Sequence, residues 1–201
     1  MKLYYLPGAC PLASHITLEW IGKPYEAIKM SRDEIKQPEF LAKNPMGSVP
    51  VLEDGDFTLT QSAAVLEYLA ELNPEAGLLP DSIRDRAEVR RWLGVCNSDI
   101  HRTFGNIFGV AALLSDEASQ EELYKNSAAK LAGMFEIIEK QLEGNVWIAG
   151  ARSIADPYLY TLLRWAKAKG VNVGSKNLEA FYTRMEADPG VQAALTAQGL
   201  I

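Results

Sequence analysis

Two cysteines and two histidines bring nucleophile and base chemistry to this chain of 201 residues, and their neighbours tell them apart. Cys10 stands directly before Pro11. A helix is predicted to begin at Pro11 or Leu12, because proline is tolerated at the first helical position, where its missing N–H would lack a partner. A thiol there faces unpaired amides and the positive end of the helix dipole, which favour the thiolate. The alternative is an inert loop cysteine. His101 lies in a long helical stretch. At about 100° per residue, Val89, Trp92, Leu93, Cys96, Ile100, Phe104, Ile107 and Ala111 form one apolar stripe, the side expected to face a core. Cys96 belongs to that stripe, where a free thiol acts as a small hydrophobe, and no chemistry is assigned to it. Gly94, Asn97, Ser98, His101 and Gly105 share another face, small or polar and without bulk, which leaves room for a ligand. A plainly solvated face is the competing reading for His101. His15 falls in the first helix and is read as structural.

Three other places offer backbone chemistry. Gln61-Ser62 opens a helix straight after a strand, so Ser62 can cap it while the free amides accept a carboxylate. Val49-Pro50 precedes a predicted strand, an awkward place for proline. A cis bond would expose the amide and carbonyl of Val49, although X-Pro bonds are mostly trans and the sequence alone favours that isomer. Ser153-Ile154-Ala155-Asp156 has a serine at a helix start and an acid three residues on, a capping box with Asp in place of Glu, and is read as a folding element.

These residues need elements to hold them. Residues 2–5 read as a strand, Pro7-Gly8 as a loop, and Leu12 to Ile21 as a helix. Tyr25 to Met30 alternates as a second strand, which implies a right-handed crossover between parallel strands. Residues 31–44 have mixed helix and loop character. Residues 49–53 and 57–60 around Asp54-Gly55 predict a hairpin, and residues 62–72 a helix stopped by Asn73-Pro74. Beyond a Gly/Pro-containing connector, helical spacing continues around 83–113, 118–142, 154–169 and 177–187, with no strand-like alternation. The expected organisation is an α/β domain over 1–76, a linker over 77–84 and an all-helical domain over 85–201.

Composition narrows the class. The start has too short an apolar run for a signal peptide, and nothing approaches the ~18 apolar residues of a membrane span, so a soluble cytoplasmic protein without a membrane partner is expected. The cysteines show neither a C-x-x-C pair nor metal-ligand spacing, so no metal site is expected. A net charge of −6 with scattered basic residues argues against nucleic acid as a partner.

Taken in order, Tyr5-x-x-Gly8-Ala9-Cys10, Asn44-Pro45-x-Gly47-x-Val49-Pro50, Thr60-Gln61-Ser62 and Ser153-Ile154-Ala155-Asp156 resemble the glutathione transferase family across nearly the whole chain. Pro7-Gly8-Ala9-Cys10 and Asn97-Ser98-Asp99-Ile100-His101 resemble its bacterial beta class. The resemblance implies a thioredoxin-like N-terminal domain (βαβ then ββα) before a helical bundle, and a cis-Pro50. It implies that Val49 and Pro50 meet the cysteinyl part of glutathione, that Gln61 and Ser62 hold its γ-glutamyl end, with Asn97 and Ser98 beside it, and that Cys10 and His101 flank the sulfur, with Tyr5 a further catalytic candidate. Lys36 or Arg32 is left to meet the glycyl carboxylate, and Phe104 and Phe108 to wall the electrophile side.

Pro11, where beta-class chains commonly have serine, and Gly94, where asparagine is frequent, depart from the pattern. The implied partners are glutathione as co-substrate, a small hydrophobic electrophile and a second copy in a homodimer, with no tightly bound cofactor. The implied reaction is conjugation, in detoxification. A thiol of pKa about 8.5 gains only about thirtyfold in nucleophile from full ionisation at neutral pH, so orientation must supply the rest. A glutathione-dependent disulfide oxidoreductase or peroxidase, and a non-catalytic ligand-binding protein, are the alternatives on the same fold.

Overall fold

In the computed structural model, which describes residues 1–201, the chain begins with β1 (Lys2–Tyr5), α1 (Pro11–Ile21) and β2 (Glu26–Lys29). A 3₁₀ turn at Glu34–Lys36 and the short α2 (Pro38–Leu41) resolve the mixed segment that follows. β3 (Val51–Asp54), β4 (Phe57–Thr60) and α3 (Ser62–Leu72) complete the first half. The sheet order is β2-β1-β3-β4, with β1 parallel to β2 and antiparallel to β3. β1 is therefore an inner strand, and Leu3, Tyr4 and Tyr5 are all buried, which is why its alternation in sequence is weak. Leu3 and Leu52 pair across the strands and pack with Leu18, Val65 and Leu69 from α1 and α3. Tyr4 and Val51 point the other way, onto Ile35 and Phe40. This is a thioredoxin-like βαβ–ββα domain.

The second half is helical: α4 (Ile83–Gly94), a π-helical segment (Val95–Ile100), α5 (His101–Phe108), α6 (Val110–Leu113), α7 (Glu117–Gln141), α8 (Ala155–Ala168), α9 (Lys176–Glu186) and α10 (Pro189–Gln198). No helix is long and apolar enough to cross a membrane. Three expectations need correction. The stretch 83–113 is not one helix: the π segment widens it before His101, whose amide bonds Cys96 O, and a break at Gly109 turns the chain so that Ala111 is exposed rather than in the core. The strand expected from Val49 starts at Val51, because Val49–Pro50 is a cis peptide outside the ladder. α10 was not anticipated, although Asp188 caps it by accepting from the amides of Gly190 and Val191, with Pro189 in its first turn.

One apolar core runs from α1 (Leu12, Ala13, Ile16) through Phe104, Tyr158 and Leu195 of the helical half. At the start of α8, Asp156 is fully buried and accepts from the amides of Ile148 (3.0 Å) and Ser153 (2.7 Å) and from the Ser153 hydroxyl (3.1 Å). Ser153 Oγ in turn accepts from the Ala155 amide at 3.3 Å. The box therefore fastens the loop before α8 as well as its first turn. Asp156→Ala leaves two buried amides without acceptors and is expected to cost about 3 kcal/mol, read as a lower urea midpoint with unchanged slope. Asp156→Asn, which keeps one acceptor oxygen, should cost less.

Candidate active site

A cleft between the sheet domain and the helices has two lobes that share Cys10, Ser48, Val49 and His101. One lobe, about 400 Å³, is mainly apolar: Leu6, Pro7, Ala9, Ile35, Phe108 and Trp165, with Arg32 at its side. The other, about 350 Å³, is polar, lined by Met46, Pro50, Gln61, Ser62, Asn97 and Arg102. The thiol and the imidazole stand where the lobes meet.

Cys10 sits at the start of α1 in helical conformation, and its thiol caps no amide. Instead Sγ donates to the carbonyl of Val49 at 3.5 Å. Burial pushes the thiol up to about 11, against smaller opposing contributions from the Ser62 hydroxyl and the Cys10 amide. Desolvation of the charged form thus acts against the thiolate that a helix start favours. Cys96 lies in the core, its thiol pushed up by burial.

The loop bearing Val49 is organised by Asn44, buried, whose Nδ2 donates to Ser48 O at 2.7 Å and whose Oδ1 accepts from the Met46 amide at 3.1 Å. Gly47 (φ 56°) is required there, since a Cβ would lie 2.9 Å from both Ile35 O and Lys36 Nζ. Gln61, the one non-glycine residue with positive φ (74°), turns β4 into α3 and brings Ser62 to the polar lobe. Strained backbone of this kind concentrates at ligand sites.

His101 Nδ1 lies 2.6 Å from the Tyr158 hydroxyl, which donates to Asn97 Oδ1 at 3.1 Å. A hydroxyl has one proton, so with that proton on Asn97 the imidazole must donate from Nδ1, leaving Nε2 as its acceptor nitrogen. Burial lowers the His101 pKa, so the ring is neutral at neutral pH. Trp165 packs against it, ring centroids 4.9 Å apart.

Other candidates lie elsewhere. The Tyr5 hydroxyl donates to Ala197 O at 3.2 Å and takes no part in lining the cleft. Ser98 turns to a separate polar hollow with Asp99, Thr103, Asn106 and Lys130. Phe104 is fully buried behind Phe108, against which it stacks at 5.8 Å. Lys36 Nζ donates to Gly47 O at 2.8 Å, which leaves Arg32 as the cation in the apolar lobe. Trp165, Tyr158 and Arg102 were missed. Trp165 and Tyr158 lie in a stretch legible as helix, but no local spacing could have aimed them at residues far upstream. No cluster of side chains suited to a metal ion is present.

A thiol at a helix start beside a cis-proline loop, on a thioredoxin-like sheet roofed by helices, defines a protein of thiol chemistry. Residues 1–71 match the family model for the glutathione S-transferase N-terminal domain, and residues 106–189 that for the C-terminal domain. Glutathione S-transferase GST-4.5 of Xanthomonas campestris pv. campestris is 42% identical over the full length of both chains. The solved glutathione S-transferase from Xylella fastidiosa matches with a TM-score of 0.96 and 46% identity, covering 100% of this chain and 99% of the other. A sphingomonad glutathione S-transferase complexed with glutathione matches at 0.88 and 35%, and the bacterial beta class enzyme of Sphingomonas chungbukensis at 0.88 and 33%, each over 100% of both chains. The chain belongs to the glutathione S-transferase family, among relatives of the bacterial beta class.

Two measurements test the electrostatics. Alkylation of Cys10 by iodoacetamide near neutral pH, followed by mass spectrometry, should run about a hundredfold slower than for an unperturbed thiol, since its pKa is raised from 9.0 to about 11. Burial also lowers the His101 pKa, so as pH falls through about 6.5 the unfolded chain takes a proton that native His101 refuses, and stability is lost. His15, lowered by burial, acts in the same direction, whereas Asp156, raised to about 7 by burial, binds its proton in the native state first and acts oppositely. The His101→Gln protein should therefore lose less stability than the native one between about pH 7.5 and 5.5, by urea midpoints at each pH.

Proposed function

We propose that this enzyme conjugates the thiol of reduced glutathione to small hydrophobic electrophiles. The observation that carries the reading is a polar lobe and an apolar lobe meeting at Cys10 and His101. The tripeptide suits the polar lobe: Gln61, Ser62 and the first amides of α3 for the γ-glutamyl carboxylate, Asn97 beside them, and Val49 before Pro50 for the cysteinyl backbone. The glycyl end then crosses the junction at Ser48 and Val49 toward Arg32, on the edge of the other lobe, in place of Lys36, whose amine is already engaged. The electrophile suits the apolar lobe, against Phe108 and Trp165.

In this scheme Cys10 stays a thiol and donates a hydrogen bond to the glutathione thiolate, as its high pKa favours. His101 Nε2 takes the proton that glutathione releases and passes it to solvent. The sulfur attacks the electrophilic carbon, a C–S bond forms, and the leaving group departs or a ring opens. Full ionisation of glutathione accounts for only about thirtyfold, so alignment across the lobe junction supplies most of the acceleration. The same proposal includes a cytoplasmic two-fold homodimer, a role in detoxification, and division of the chain at residues 77–84.

Calorimetry with reduced glutathione, together with conjugation of an activated aryl halide, tests the reading. The native protein is expected to bind and turn over, and Cys10→Ala and His101→Ala to bind within about threefold while kcat falls about tenfold or more. No glutathione binding by the native protein would overturn it. Turnover of mixed disulfides that exceeds conjugation and vanishes in Cys10→Ala would replace conjugation with thiol–disulfide exchange.

A further inference from the structure

The loop that delivers Cys10 turns at Gly8 (φ 70°), and both polar groups of that residue are held by the helical domain. The Gly8 amide donates to Gln198 Oε1 at 2.9 Å, and its carbonyl accepts from Trp165 Nε1 at 2.8 Å. Gln198 is the last residue of α10 and is 3% exposed. Its Nε2 lies 3.0 Å from Nδ1 of His15, itself 1% exposed, on the helix that Cys10 begins. One side chain from the far end of the sequence thus ties the loop before Cys10 to the helix after it.

The direction of this chain follows from proton counting. An amide N–H can only donate, so Gly8 fixes which end of the Gln198 amide is oxygen. Its NH₂ is then committed to His15, whose Nδ1 must accept. His15 is consequently the neutral Nε2–H tautomer, in keeping with the lowering of its pKa by burial. Nε2 has no hydrogen-bond partner, and the ring lies between those of Tyr5 and Tyr25, 5.4 and 5.6 Å away.

We propose that Gln198 is a positioning residue for the active-site cysteine: bridging His15 Nδ1 and the Gly8 amide, it holds the Cys10 loop in the conformation that presents the thiol at the lobe junction. The proposal rests on the conjugation reading for its kinetic consequence but not for its geometry. Gln198→Met removes both hydrogen bonds at nearly constant volume. Gln198→Glu keeps an acceptor for Gly8 and accepts from His15 if the imidazole moves its proton to Nδ1. Leu195→Ala, a cavity in the same helix away from Gly8, reports what loosening α10 alone does.

The test combines ¹⁵N NMR of the His15 ring, kinetics of the purified variants, and alkylation of Cys10. Native His15 should show a bare Nδ1 and a protonated Nε2, and Gln198→Glu the reverse. Gln198→Met should lower kcat for conjugation about tenfold, with KM for glutathione changed less than about threefold because the polar lobe stands on other elements. Gln198→Glu should recover to within about threefold of native, and Leu195→Ala should stay within about twofold.

A protonated Nδ1 in the native protein, or equal kinetic losses in Gln198→Met and Leu195→Ala, would overturn the proposal. If the native protein fails to bind glutathione, the conjugation reading falls by itself. The positioning role is then decided by the His15 tautomer and by whether Gln198→Met, but not Leu195→Ala, speeds alkylation of Cys10 by iodoacetamide.

Discussion

Every residue of α1 from Pro11 to Leu18 is buried, including the polar Ser14, His15 and Thr17. A helix with no solvent face cannot be covered by one sheet, because a sheet buries only one side of what packs on it. α1 therefore lies on α3 and the sheet with one side, and against α8 and α10 with the other. The two halves of the chain close around this helix, and Cys10 is the N-cap residue at its start. Wherever that packing sets α1, it sets the thiol.

The same constraint explains the chemistry of the site. A thiol at a helix start is ordinarily biased toward ionisation. Here the helical half that completes the coat of α1 also removes water from Cys10, and desolvation prevails. His101 responds in the same sense, its charged form disfavoured by burial. The cleft thus places two groups, both uncharged at neutral pH, where an apolar and a polar lobe meet. Trp165 serves both sides, since its ring lines the apolar lobe while its N–H holds the carbonyl of Gly8.

Local signals carried the reading a long way. The strand–helix–strand opening, the Asp54-Gly55 hairpin and the stops at Asn73-Pro74 depend on neighbours within a few residues. The wheel from Val89 to Ile107 held because apolar spacing reflects burial directly. It slipped only past Gly109, where the helix breaks and Ala111 turns out to solvent, since 100° per residue applies only to a continuous helix. Tyr5, Ser98 and Phe104 show a second limit. Each lies one or a few residues from a group that lines the cleft, yet their side chains turn to Ala197, to a separate hollow and to the core.

By itself the sequence determined the class of elements, the α/β start and helical remainder, and the residues able to do chemistry, because these follow from residue type and short spacing. Only the tertiary structure buried Cys10, brought His101 to Tyr158 and His15 to Gln198, and set Arg32 rather than Lys36 along the apolar lobe. The reason is physical: desolvation and hydrogen-bond direction are set by partners distant along the chain, as Gln198 is from Gly8 and Tyr158 from His101. No periodicity records such contacts.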